Sequence, residues 1–247
     1  MNPIVLIPAR MASSRLPGKP LADIHGVPMI VHVLRRAEAA GIGPVAVACG
    51  DAAIVEAVER AGGRALLTDP DLPSGSDRVH AAAEALDPAR RHDVVVNLQG
   101  DVPTVTAEQI AAALLPLADP VIDIGTVVAP IGSAEEARTE SFVKAACVFA
   151  EGAQTALALY FSRAPVPWGE GPLWHHIGIY AWRRPALARF VRMRPSGLER
   201  REGLEQLRAL EAGMRIGCAR VAHGLFGVDT PADLERARAL LQPGAGT

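Results

Sequence analysis

The sequence predicts an α/β fold: a doubly wound, mostly parallel, Rossmann-like sheet followed by a half with a mixed sheet. Two observations predict it. Over roughly the first 110 residues, short β-branched apolar runs alternate with helical stretches, the pattern of βαβ units. Those runs are apolar at nearly every position, as strands buried on both faces require.

Strands are expected over residues 4–7, 45–49, 64–67 and 94–98, with helices over 28–40, 52–61 and 76–85 between them. Thr106-Ala107-Glu108-Gln109 reads as a capping box that opens a helix over 106–117. The second half is less regular. Strands are expected over 124–129, 142–149, 157–161 and 176–182, then helices over 185–194 and 198–213 and a strand near 216–221. A closing helix over 231–241 has Thr230 as its cap and Pro231 in its first position. Residues 243–247 are expected to fray. With no repeat and no low-complexity linker, residues 1–247 read as one domain, in halves of about 1–117 and about 118–247.

Bulk properties exclude several classes of partner. With 247 residues and 49% of them hydrophobic, the chain can bury a substantial core. A net charge of −2 supplies no general attraction for nucleic acid or an anionic membrane. Any anionic ligand must therefore be held by local cations. Cys49, Cys147 and Cys218 form no CxxC pair and no zinc spacing, which suits a reducing cytoplasm. No apolar run reaches the ~18 residues of a spanning helix.

The segment after the first strand, Pro8 to Pro20, carries three cations (Arg10, Arg15 and Lys19), no acid, two serines and Gly18. In an open α/β sheet ligands sit at the carboxyl ends of the strands. Arginine forks suit phosphate oxygens, and a lysine adds a mobile point charge. The standard phosphate loops are absent: Pro20 follows Gly18-Lys19, and neither GxxxxGK nor GxGxxG is present. On these residues alone, a phosphate site and a solvated basic loop are about equally supported. The strand over 94–98 leads into Gln99-Gly100-Asp101, where Asp101 reads as a Mg²⁺ ligand or as a turn aspartate before Pro103.

The run P-A-R-x-x-S-x-R-L-P-x-K-P resembles the signature of the 3-deoxy-manno-octulosonate cytidylyltransferases and, more loosely, of the CMP-sialic acid synthetases. The similarity spans the chain from the first strand to the last helix. It implies transfer of CMP from CTP to 3-deoxy-D-manno-octulosonate (KDO), giving CMP-KDO and pyrophosphate for lipopolysaccharide biosynthesis. In this reading Arg10, Arg15 and Lys19 are catalytic cations, and Asp101 and Asp229 hold Mg²⁺ and complete the catalytic set. Asp101 matches Q-G-D-E-P, although Val102 stands where the family has Glu, and Asp229 matches V-D-T-P-x-D-L.

The resemblance further implies a nucleotide site built from Pro8, Ala9, Arg10, Ser14, Arg15, Lys19, Asp51, Ser74, Gly75, Ser76, Arg78, Gln99 and Gly100. Ser74-Gly75-Ser76-Asp77-Arg78 stands for the family's S-G-T-E-R, at a helix start whose backbone donors suit an anion. Sugar recognition falls to Gln99, Arg163, His176, Tyr180, Glu205 and Gln206, in segments similar to Y-F-S-R-x-x-x-P-W, H-x-G-I-Y and L-E-Q-L-R. The loop over 169–174 is shorter than the family pattern. A cytoplasmic homodimer is implied, with the first half binding CTP and the second binding sugar and partner. Three alternatives remain at this point: activation of another acidic sugar, such as a sialic acid or amino-KDO; a non-catalytic nucleotide-binding relative; and a glycosyltransferase on a similar sheet, which would consume sugar nucleotides rather than make them.

Overall fold

The computed structural model describes residues 1–13 and 15–242. These form two compact units, Met1–Ile110 joined by the segment beginning at Leu225, and Ala111–Gly224. The frayed tail expected over 243–247 lies outside the described residues.

In the first unit β1 (Pro3–Ala9) is followed by a tight hairpin of β2 (Asp23–Ile24) and β3 (Val27–Pro28). Then come α1 (Met29–Ala39), β4 (Val45–Cys49), α2 (Ala52–Arg60), β5 (Ala65–Leu67), α3 (Gly75–Leu86), β6 (Val94–Leu98) and α4 (Ala107–Ala112). Strands β5, β4, β1 and β6 pair in that order, every pair parallel. All five residues of β6 and six of the seven in β1 are buried. Side chains alternate between the faces of a strand, so both faces of this sheet are covered. The expected parallel α/β half is what forms.

The hairpin is absent from the sequence reading. His25 and Gly26 both adopt positive φ, 52° and 79°, which makes the two-residue turn that fits the twist of adjacent strands. Ile24 of the hairpin and Met29 of α1 pack with Val228, Leu234 and Ala237, so the last helix, Pro231–Leu240, folds onto the first unit. Arg238 adds two hydrogen bonds to the carbonyl of Asp23, at 2.9 and 2.6 Å.

The second unit contains β7 (Ile124–Pro130), α5 (Ala134–Arg138), β8 (Lys144–Ala146), β9 (Thr155–Leu157), β10 (Tyr160–Ser162) and β11 (Trp174–Arg183). After these come α6 (Arg184–Phe190), α7 (Gly197–Glu202), α8 (Gln206–Glu211) and β12 (Ile216–Arg220). The sheet is mixed, as expected. β7 is antiparallel to β11 and parallel to β12, and β12 is antiparallel to β9.

Several elements are shorter than the sequence suggests, each for a local reason. The capping box at Thr106 and Gln109 forms, but α4 stops at Ala112. Pro116 has no N–H to donate and restricts Leu115 before it, so the chain continues as a 3₁₀ turn over Leu115–Ala118. The helix expected over 198–213 is broken by Gly203, whose left-handed φ of 65° closes α7. The single strand expected over 157–161 becomes β9 and β10, because Leu157 pairs with Gly217 and Tyr160 with Ala146. Of residues 142–149, only those of β8 pair. No helix among the described residues is long and apolar enough to cross a membrane.

Gly125 of β7 offers a test of the second unit's packing. A Cβ there would lie 2.1 Å from the Ala113 carbonyl oxygen, a backbone atom with no rotamer to give way. Gly125→Ala is therefore expected to destabilise the protein by about 3 kcal/mol, read as a lower midpoint in urea unfolding. An unchanged midpoint would contradict this packing.

Candidate active site

The sheet order in the first unit reverses between β1 and β6, and in open α/β sheets ligands bind outside the carboxyl ends of the strands at such a point. The segments leaving those two strands wall a cleft of about 390 Å³. Pro8, Ala9, Arg10, Ser13, Arg15 and Lys19 come from the first loop, Gln99, Gly100 and Asp101 follow β6, and Ser74, Gly75 and Arg78 open α3. Asp229 lines it too, from the cap of the last helix.

Local structure aims the first loop. Gly18 has a left-handed φ of 68° and turns the chain into a 3₁₀ turn over Lys19–Leu21, with Pro20 buried behind it. The loop is tied down by Asp51, whose carboxylate accepts from the Met11 N–H at 2.8 Å. Asp51 is not among the residues that line the cleft and acts here as the loop's anchor. Gly100 is also explained by the fold. A Cβ there would sit 2.9 Å from the Pro8 carbonyl oxygen, so glycine lets the ends of β1 and β6 close on one another.

Asp101 and Asp229 converge. Lys19 Nζ donates to Asp101 Oδ2 at 2.6 Å and to Asp229 Oδ1 at 3.0 Å, while Arg15 Nη2 lies 3.0 Å from Asp229 Oδ2. The Val228 N–H donates to the Asp101 carbonyl at 2.8 Å, which draws the two segments together. In the last helix Thr230 and Asp233 form a capping box, so Thr230, not Asp229, caps it. Asp229 is left to face the cleft. Burial would lower the Lys19 ammonium, but the charge of Asp101 and hydrogen bonds to both carboxylates leave it above its ordinary value. The Arg15 pair is far more exposed, with the arginine side chain 65% accessible, and contributes little to stability.

Arg78 is 2% exposed and donates to Thr68 Oγ1 and to the carbonyls of Asp69 and Pro70. It braces the loop after β5 while presenting positive charge to the cleft. Ser74 caps α3 by accepting from the Asp77 N–H at 3.2 Å, which leaves the positive end of the helix dipole at the cavity. Ser76 is buried behind the lining. At the end of β4, burial pushes the Cys49 thiol up to about 12. Ser14, expected in the nucleotide site, lies outside the described residues. Its neighbour Ser13 lines the cleft and occupies the position of the motif's serine. Leu72 and Ala12 also line it, and small or apolar loop residues carry no signal that would single them out. Val102 is 7% exposed and belongs to the core.

The sugar-directed residues other than Gln99 lie in the second unit. Arg163 donates to the carbonyls of Glu202, Glu140 and Gly203 at 2.8, 3.1 and 3.3 Å, a staple across three turns. Glu202 was not read from the sequence. It accepts from Ser162 Oγ at 2.9 Å and the Arg163 N–H at 3.0 Å, and so shapes the Y-F-S-R segment. Lys144 is fully buried and donates to the Thr139 carbonyl. β11 bulges between Ile177 and Tyr180. Thr126 Oγ1 donates to the Ile179 carbonyl at 2.8 Å and lies 3.0 Å from His176 Nε2, so it accepts from the imidazole. His176 packs between the rings of Phe161 and Tyr180, at 4.8 and 5.5 Å. Burial lowers its pKa to about 3 and pushes the Tyr180 phenol up, Glu205 adding to the latter. Gln206 is buried at the start of α8.

With this geometry in hand, the comparisons with known proteins are specific. The family profile described as Cytidylyltransferase matches residues 4–216. The 3-deoxy-manno-octulosonate cytidylyltransferase of Rhodospirillum centenum is 62% identical over 245 residues, covering 99% of this chain and 95% of that protein. That of Methylobacterium radiotolerans is 61% identical and covers 98% of this chain and 97% of its own length. Among solved structures, a CMP:2-keto-3-deoxy-manno-octonic acid synthetase complexed with CTP is 40% identical. It superimposes with a TM-score of 0.86, covering 97% of this chain and 98% of that one.

His176 gives the second unit a pH signature. Its folded-state pKa of about 3 lies below the ordinary 6.5, so below pH 6.5 the unfolded chain takes up a proton that the folded protein refuses. Its contribution is thus full above pH 6.5 and falls by roughly 1.4 kcal/mol per pH unit as pH drops toward about 3. The stability gap between the protein and its His176→Gln variant should change by about 2 kcal/mol between pH 7 and pH 5, to the disadvantage of the unsubstituted protein. Equilibrium urea unfolding at the two pH values measures it, and a constant gap would refute the buried neutral imidazole.

Proposed function

Because the chain belongs to the 3-deoxy-manno-octulosonate cytidylyltransferase family, we propose that it transfers CMP from CTP to KDO and releases pyrophosphate. The observation that carries this reading is the convergence of Asp101 and Asp229 on Lys19, inside a cleft lined by Arg10, Arg15 and Arg78. Four cations against two carboxylates give the lining a positive surplus suited to a triphosphate. The positive end of α3 at Ser74 and Gly75 adds to it.

In the proposed reaction the anomeric hydroxyl of the sugar acid attacks the α-phosphorus of CTP in line. The new O–P bond forms as the bond to the β-phosphate oxygen breaks, the hydroxyl proton passes to solvent, and pyrophosphate leaves. Arg10, Arg15 and Lys19 stabilise the charge that grows on the phosphates. Anchoring the loop through Asp51 keeps those cations placed, so that less ordering remains to be done when substrate binds. Gln99, Arg163, His176, Tyr180, Glu205 and Gln206 are the proposed determinants of the sugar acid.

The residues present fit a magnesium ion. Two carboxylates already share one cation, the Lys19 ammonium, at 2.6 and 3.0 Å. Mg²⁺ characteristically takes one or two protein carboxylates and completes its shell with phosphate oxygens and water. Asp101 and Asp229 would hold it, and the chemistry it supplies is Lewis acidity that lowers the hydroxyl's pKa and neutralises phosphate charge. A cytoplasmic homodimer is part of the same reading. Its cytoplasmic part is supported by three free cysteines, which suit a reducing compartment.

The test is CTP with KDO and Mg²⁺, followed by pyrophosphate release. Asp101→Asn and Asp229→Asn should each reduce turnover by about 10³-fold or more, with the circular-dichroism spectrum unchanged. Undiminished turnover in both variants would remove the carboxylates from the mechanism.

A further inference from the structure

Lys19 stands where a divalent ion would have to bind. One ammonium touches both carboxylates, and Arg15 takes the remaining oxygen of Asp229. Two negative charges are thereby matched by two positive ones, and a dication entering this arrangement meets two cations and an already neutralised pair. The lysine backbone is fixed by the left-handed Gly18 and the 3₁₀ turn that begins with it, while its ammonium is held by the two carboxylates. Its four-carbon stem can carry the ammonium elsewhere without moving the backbone. Arg15 is mostly in solvent and equally able to turn. Both side chains line the cleft assigned above to a triphosphate.

We infer that Lys19 is an internal counter-ion that keeps the Asp101–Asp229 pair closed to divalent metal until a triphosphate draws the ammonium away. The inference rests on the cytidylyl-transfer reading of the cleft and adds an order to it. When phosphate oxygens take Lys19 and Arg15, the two carboxylates lose their partners and become a site for a dication. Metal and nucleotide then bind with positive coupling, and the coupling is reciprocal. The metal-free, nucleotide-free protein is spared two adjacent uncompensated carboxylates, which would otherwise repel one another.

The experiment is Mn²⁺ binding, followed by electron paramagnetic resonance of the free ion. It uses the full-length protein and its Lys19→Met, Lys19→Arg, Asp101→Asn and Lys19→Met/Asp101→Asn variants, with and without CTP and corrected for Mn²⁺ bound by CTP alone. Thermal unfolding verifies that each variant is folded. Without CTP, Lys19→Met should bind Mn²⁺ tighter than the unsubstituted protein by about tenfold or more. Lys19→Arg, which keeps the charge, should remain weak, and the double variant should lose the gain. Equal Mn²⁺ affinity in the unsubstituted protein and Lys19→Met, with both dependent on Asp101, overturns the lock and leaves the metal assignment standing. Mn²⁺ binding that ignores Asp101 even with CTP present overturns the metal assignment, and the lock with it.

Discussion

Two aspartates from distant parts of the chain face each other across a half-buried cleft, and one lysine ammonium makes that arrangement tolerable. Like charges brought this close raise each other's cost unless a cation stands between them. Lys19 is that cation, and the surrounding fold serves to present the three groups together. β1 delivers the lysine loop and β6 delivers Asp101 beside it, because the two strands are parallel neighbours. Asp229 comes from the other end of the chain. It reaches the cleft because Val228 bonds to the Asp101 carbonyl while Leu234 and Ala237 pack on Ile24 and Met29.

The second unit follows a different logic, in which the polar side chains around β10 and the middle of β11 are satisfied from within, while the buried Trp182 Nε1 finds no partner. Arg163 spends its guanidinium on three backbone carbonyls, Glu202 gathers the donors around it, and Thr126 quiets the bulge of β11 while accepting from His176. Such networks cost little when every member is paired and much when one is removed.

The parallel half was legible because its signal is short-range. Continuous apolar runs such as those over 45–49 and 94–98 mark doubly covered strands wherever they occur, and β4 and β6 begin and end where those runs do. Boundaries failed where one residue overrode a periodic pattern, as Pro116 did in ending α4 and Gly203 in splitting a helix. Within the cleft, charged residues in the first loop stood out, while Ser13 and Leu72 did not, since a hydroxyl or an aliphatic side chain in a loop suits many roles. For Asp51 and Gly100 the structure adds a local role that the sequence does not display. One anchors a loop and the other allows two strand ends to meet.

By itself, then, the sequence determined the α/β class, the family and the identities of the charged residues that matter, because periodicity and motif spacing are written between near neighbours in the chain. Only the tertiary structure decided that the final segment returns to the first unit and sets Asp229 against the same ammonium as Asp101. That convergence draws on a backbone hydrogen bond between Val228 and Asp101 and on an apolar cluster that joins Ile24 and Met29 to the last helix, far apart in the chain. Contacts at such separation form only when the whole unit has collapsed, and no local pattern encodes them.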